Sequence, residues 1–240
     1  MNKVALLFRR EFSQLAWSPL GFILGTLFLF AVGLFFNLNV LAGEKLSSDV
    51  IAAYFFYLSG ASMVFSLFVA MGLFAKERET GTLPFLLSSP IRDSQIVLGK
   101  FLGAFVFLGL LILITLYMPM LILVHGKVSG GHLLAGYLGT LLLSATCLSI
   151  GAFASSLARS QVLAVATGFG MGVPLVLSWL AGQEAQAPYD AILTQLALYN
   201  PHFFTFMRGQ IHSQDVIYYL SLTGFFLFLA TRSLEARRWR

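Results

Sequence analysis

Six apolar stretches constrain this chain more than any other feature. They run at about 19–41, 50–75, 96–124, 133–157, 162–181 and 216–231, and the middle of each carries no charged side chain. A helix needs about 20 apolar residues to cross a bilayer, and in lipid a helix satisfies its own backbone hydrogen bonds. Charged residues make up 10% of the 240 residues, against about 25% in ordinary soluble domains. The reading is an all-α integral membrane protein of one domain, with six transmembrane helices.

The connections are short, so no separate soluble domain fits. Any soluble enzymatic activity has to come from another polypeptide. Cys147 is the only cysteine, which excludes an intrachain disulfide. The net charge of +5 reports orientation before it reports a nucleic-acid partner. Lys3, Arg9, Arg10, Lys76, Arg78, Arg92, Lys100, Arg159, Arg232, Arg237, Arg238 and Arg240 fall on the N-terminal side of the membrane. Lys45, Lys127 and Arg208 fall on the other, while the acids divide evenly. The positive-inside rule then places both termini in the cytoplasm and His125, His132, His202 and His212 outside.

Residues 2–17 predict an amphipathic helix, with Val4, Leu7, Phe8, Phe12 and Leu15 on one face, lying in the headgroup region. A signal peptide is the other reading of this start, but the apolar run after it exceeds a 7–15-residue core. Residues 189–206 are apolar but interrupted by Asn200-Pro201. They predict a segment that dips into the outer leaflet and returns, with an ordinary outer loop as the alternative.

The stretch Lys76–Ile91, KERETGTLPFLLSSPI, is the main polar-to-amphipathic interruption. Leu83, Leu86, Leu87 and Ile91 recur at helical spacing. Thr82 suits an N-cap, Pro84 suits a first turn, and Pro90 ends the segment. A short amphipathic helix between two spans lies on lipid or docks into a groove of a soluble partner. The second use is the expectation for 81–91.

The sequence holds no HExxH, GxSxG or GxxxxGK[ST] pattern, so no catalytic residue, cofactor site or metal site is assigned. His125 and His132 read as solvated loop residues. Lys100 and Asp215 lie near span ends and are expected to reach the interface. Gly21/Gly25, Gly99/Gly103 and Gly168/Gly172 match the GxxxG pattern of close helix packing.

Glu77 through Ile91, continued by Ile96-Val97-Leu98-Gly99-Lys100-Phe101, resembles the hallmark of ABC-2 type transporter permeases. The branch most similar is that of the gliding-motility permease GldF and the nitrous-oxide-system permease NosY. Phe203, Phe206, Arg208-Gly209, Asp215, Tyr218 and the tail Leu234–Trp239 agree with it. The resemblance implies six spans, an interfacial N-terminal helix and re-entrant helices before the last span. It implies a separate ABC ATPase in two copies, which carries ATP and Mg, and a second permease copy or homologous permease. It also implies a multi-pass place in a bacterial or archaeal cytoplasmic (inner) membrane. In such proteins the helix after span 2 is the coupling helix. Carried over, Gly81, Thr82, Leu83, Leu86, Leu87, Pro90 and Ile91 belong to that helix, and Glu77 and Arg78 form a charged pair at its entrance. Phe85 stands where the family pattern leads one to expect a polar residue. The implied function is the permease subunit of an ATP-driven exporter. An ATPase-independent carrier or channel, or a membrane anchor of a motility-type machine, is the alternative. Substrate is not specified by any residue.

Overall fold

The computed structural model describes residues 3–40, 47–87, 91–125, 129–185 and 189–238, and every regular element among them is helical. In chain order these are α1 (Lys3–Ala16), α2 (Pro19–Phe35, extended by a π-helical turn Phe36–Val40), α3 (Ser47–Met71), α4 (Ala75–Glu79), α5 (Leu83–Leu87) and α6 (Asp93–Ile114). There follow α7 (Tyr117–His125), α8 (Gly130–Leu157), α9 (Gln161–Glu184), α10 (Tyr189–Leu196), α11 (His202–Met207) and α12 (Ser213–Arg238). Among the described residues six stretches are long and apolar enough to cross a membrane: Pro19–Leu38, Asp49–Glu79, Asp93–Ile122, Gly130–Leu157, Gln161–Glu184 and Ser213–Arg237.

Local chemistry sets several boundaries. Ser18 has an extended backbone and accepts the Gly21 N–H at 2.9 Å, with Pro19 in the first turn where no donor is needed. Ser160 caps α9 in the same way, accepting from Leu163 N at 3.3 Å. Only three residues separate α8 from α9, so these two helices are antiparallel neighbours.

The core centres on α8, whose apolar window is 72% buried, with α3 next at 56%. Small residues on α8 admit neighbours closely. A Cβ on Gly139 would lie 2.6 Å from Phe206 Cβ, and one on Gly151 would lie 2.5 Å from Ala70 Cβ. Several buried hydroxyls are satisfied within their own helices: Thr140 donates to Gly136 O at 2.8 Å, Ser144 to Thr140 O at 2.7 Å, and Ser62 to Leu58 O at 2.6 Å. No water is needed to partner them.

The third span departs from the expectation of one helix over 96–124. It breaks at Thr115-Leu116. Pro119 has no N–H to offer the Thr115 carbonyl. That carbonyl instead takes Met118 N at 3.0 Å and lies 3.2 Å from Tyr54 Oη. Tyr54 Oη also sits 2.8 Å from Thr115 Oγ1 and 2.9 Å from Tyr137 Oη, so three helices meet at the break. The first span is helical to Val40, and residue 41 lies outside the described residues. The last span is longer than 216–231, because α12 continues through its basic tail.

The helix expected over 81–91 is shorter. Its described part, α5, is five residues, and Pro90 lies outside the described residues. The chain before it leaves α3 through a turn at 72–74 and forms the separate helix α4.

Candidate functional site

The polar stretch after α3 is fixed to the ends of four long helices. Ser155 near the end of α8 accepts both Phe74 N and Ala75 N at 3.0 Å and donates to Met71 O at 2.9 Å. One hydroxyl thus bridges the break between α3 and α4. Arg78 Nη1 donates to Leu157 O at 3.1 Å and Ala158 O at 2.9 Å, the terminal carbonyls of α8. A guanidinium there complements the negative end of the helix dipole. Gln161 in the first turn of α9 donates to Glu79 Oε2 at 3.0 Å.

α4 ends in a Schellman turn. Thr82 N donates to Glu77 O at 2.8 Å and Gly81 N to Arg78 O at 3.2 Å, with Gly81 at φ 70°. That left-handed position favours glycine. Thr82 Oγ1 adds a bond to Glu77 O at 3.2 Å. The turn reverses the chain into α5.

The apolar stripe does not present a single outward face. Leu83 is 8% exposed, and Leu86 and Ile91 pack partly buried against the core. Leu83, Leu86 and Ile91 pack on the chain's own bundle, which removes their apolar area from water. The side chain of Leu87 lies outside the described residues. Phe85, between them, is 78% exposed, and Gly81 and Thr82 are exposed.

Behind this segment lies a buried ionic cluster. Lys100 Nζ is 2.9 Å from Glu11 Oε2 and 2.9 Å from Glu77 Oε1, and the three side chains are 4%, 9% and 13% exposed. Lys100 therefore does not reach the interface as expected. Two carboxylates from separate segments close on it, because a lone ammonium at this depth is costly. Glu77 Oε2 is buried and has no hydrogen-bond partner among the described residues. A cavity of about 300 Å³ adjoins the cluster, rimmed by Arg10, Gln14, Lys76, Thr80, Thr82 and Gln161. The sequence reading overlooked Glu11. Its signal was position: Leu7, Glu11 and Leu15 recur every four residues and are all buried, so an acid occupies the apolar stripe of α1.

Gly99 and Gly103 have a definite use. A Cβ at Gly99 would lie 2.6 Å from Leu7 Cβ, and one at Gly103 would lie 2.8 Å from Glu11 Cβ. This GxxxG pair seats α1 on α6 within the chain.

The opposite end of the bundle holds α10 and α11. His202 Nδ1 is 2.7 Å from Asp215 Oδ1, His202 Nε2 is 3.1 Å from Gln195 O, and Thr205 Oγ1 is 2.7 Å from Asp215 Oδ2. The His202 ring stacks on Tyr218 with centroids 4.0 Å apart. Asp215 is 7% exposed, so it too is locked inside rather than reaching the interface. Tyr219 Oη donates to Leu198 O and Tyr218 Oη to Leu196 O, each at 2.7 Å. His132 lies in the first turn of α8, not in a loop, with Nε2 2.7 Å from Met207 O. No group of three or more His, Cys, Asp or Glu suited to a metal occurs among the described residues.

The comparisons agree with this architecture. Residues 8–230 match the family described as ABC-2 family transporter protein, nearly the whole length of the chain. No curated protein matches the sequence. The matched region contains the first five long apolar helices, the α4–α5 segment and α12 as far as residue 230, and this family implies partnership with an ABC ATPase. The chain belongs to the ABC-2 transporter family, as a multi-pass membrane component of permease type.

Proposed function

We propose that this chain is the permease subunit of an ATP-driven exporter whose ATPase seats on the α4–α5 segment. One observation carries the reading. A short exposed segment with Phe85 outermost is bolted to the ends of α3, α6, α8 and α9 by Ser155, Lys100, Arg78 and Gln161. A push on α4–α5 then reaches four spans without passing through flexible chain. Such packed elements respond by rigid-body movement rather than by continuous deformation.

In this reading two ATPase copies bind ATP and Mg and close on each other. They move the α4–α5 segments of two permease copies, and a path opens between protomers. Both termini are cytoplasmic, the membrane is the bacterial or archaeal inner membrane, and α10 and α11 form the outer re-entrant pair. Glu77, Arg78, Gly81, Thr82, Leu83, Leu86, Leu87, Pro90 and Ile91 make up the coupling segment. Its inward residues hold shape, and its outward residues make contact. The resemblance of 77–101 and of the tail to the GldF and NosY branch supports a permease that works with accessory machinery.

Mild-detergent purification of the tagged chain from native membranes tests this. The expected result is an ABC ATPase in near-equal amount, lost on Phe85→Asp while the permease still extracts as a folded species. A folded permease that never carries an ATPase would move the carrier or channel reading to the front. Orientation is checked separately. A cysteine at Ser129 should react with an impermeant maleimide from outside intact cells, and one at Thr80 should not; the reverse pattern would invert the topology.

A further inference from the structure

We propose that Lys100 is a positioning residue that makes the N-terminal helix α1 part of the ATPase-contacting unit, so that α1 travels with α4 during the transport cycle. This rests on the reading that α4–α5 contacts an ATPase.

The geometry is specific. Lys100 lies on α6 between Gly99 and Gly103, the two positions where α1 comes within backbone reach of α6. Its ammonium takes Glu11 from α1 and Glu77 from α4, both at 2.9 Å. It also sits 5.7 Å from the centroid of the Phe74 ring, in the turn between α3 and α4. Glu77 Oε2 has no partner of its own, so Lys100 is the one positive group holding that carboxylate among the described residues. Three segments distant in sequence thus share one buried charge. Elsewhere α1 is joined to the bundle through the short Trp17-Ser18 turn and apolar contacts on α6. Two carboxylates and an ammonium in a dry site cost desolvation that apolar side chains would avoid, and such clusters serve better to define a unique arrangement than to add stability.

The test uses the permease–ATPase complex in nanodiscs. Spin labels are placed through Ser13→Cys on α1 and Lys76→Cys on α4, both exposed positions. Cys147 is buried and stays in place. In the otherwise unchanged chain, the distance between labels should form one narrow population, the same without nucleotide and with trapped nucleotide. Glu11→Gln removes only the α1 leg of the cluster and leaves the Lys100–Glu77 bond. It should leave ATPase recovery and the nucleotide-free distance unchanged, while the trapped-state distribution broadens as α1 lags behind α4. Glu11→Asp, which keeps the charge, should restore most of the narrow population. A bond that only stabilises the fold would alter both states alike, and that outcome would overturn the proposal. So would a Glu11→Gln distribution as narrow as the parent's in both states, or a parent distance that changes on trapping. Loss of the ATPase already in the parent complex would instead remove the reading beneath it, and the inference with it.

Discussion

The two ends of the bundle solve the same problem with different chemistry. At the α1 end, two carboxylates from α1 and α4 converge on Lys100 of α6, and Arg78 takes the last carbonyls of α8. At the α11 end, one histidine–aspartate pair works beside two hydroxyls and an imidazole that bond backbone carbonyls: Tyr218 to Leu196, Tyr219 to Leu198 and His132 to Met207. The first arrangement ties long helices to one another. The second pins two short helices, α10 and α11, onto α9, α8 and α12. The contrast suits an end that transmits force and an end that holds a cover in place.

Substitutions at each end sharpen the contrast. The largest effect is expected from Lys100→Met, which leaves two buried carboxylates facing each other. It should cost about 3–5 kcal/mol, seen as a lower melting temperature of the purified permease, whereas Lys100→Arg keeps the charge and loses far less. Next, Asp215→Asn removes the charge that His202 and Thr205 face, for about 1.5–3 kcal/mol. Hydrogen exchange should rise in α10 and α11 and stay unchanged in α4. If it rose equally in α4, the two ends would not be independent. Gly103→Ala forces a Cβ against Glu11 and the Phe12 backbone, at 2.8 Å and 3.0 Å. Overpacking of this kind costs about 1–3 kcal/mol, and proteolysis at Arg9 and Arg10 should quicken as α1 lifts. Tyr137→Phe, between the ends, removes one of the hydroxyls at the break in the third span. Tyr54 keeps Thr115 as a partner, so a loss of about 1 kcal/mol or less is expected in thermal unfolding.

Much of this fold was legible because a span announces itself by composition. All six long apolar stretches stand where their uncharged middles put them, and the tight turn at 158–160 follows from the polar gap between two of them. The finer features depend on contacts that period and composition do not carry. The third span reads as one run over 96–124, and the partner that holds the Thr115 carbonyl at its break, Tyr54, comes from another helix. Leu83 and Leu86 share a face as the spacing requires, yet spacing does not say whether that face meets a partner or the chain's own bundle. Lys100 and Asp215 lie near span ends, where snorkelling is the ordinary outcome. Each is buried because partners on other segments reach it. The glycine pair at 99 and 103 was visible as a pattern, but its occupant, α1, was not.

The most direct test of the account is photo-crosslinking in native membranes from one position at each end: Phe85, 78% exposed on α5, and Ile211, 54% exposed before α12. The account predicts an ATPase adduct from Phe85 and none from Ile211. An adduct from Ile211, or a Phe85 probe that reacts only with lipid while the complex is intact, would contradict the claim that the α4–α5 end is where the ATPase engages.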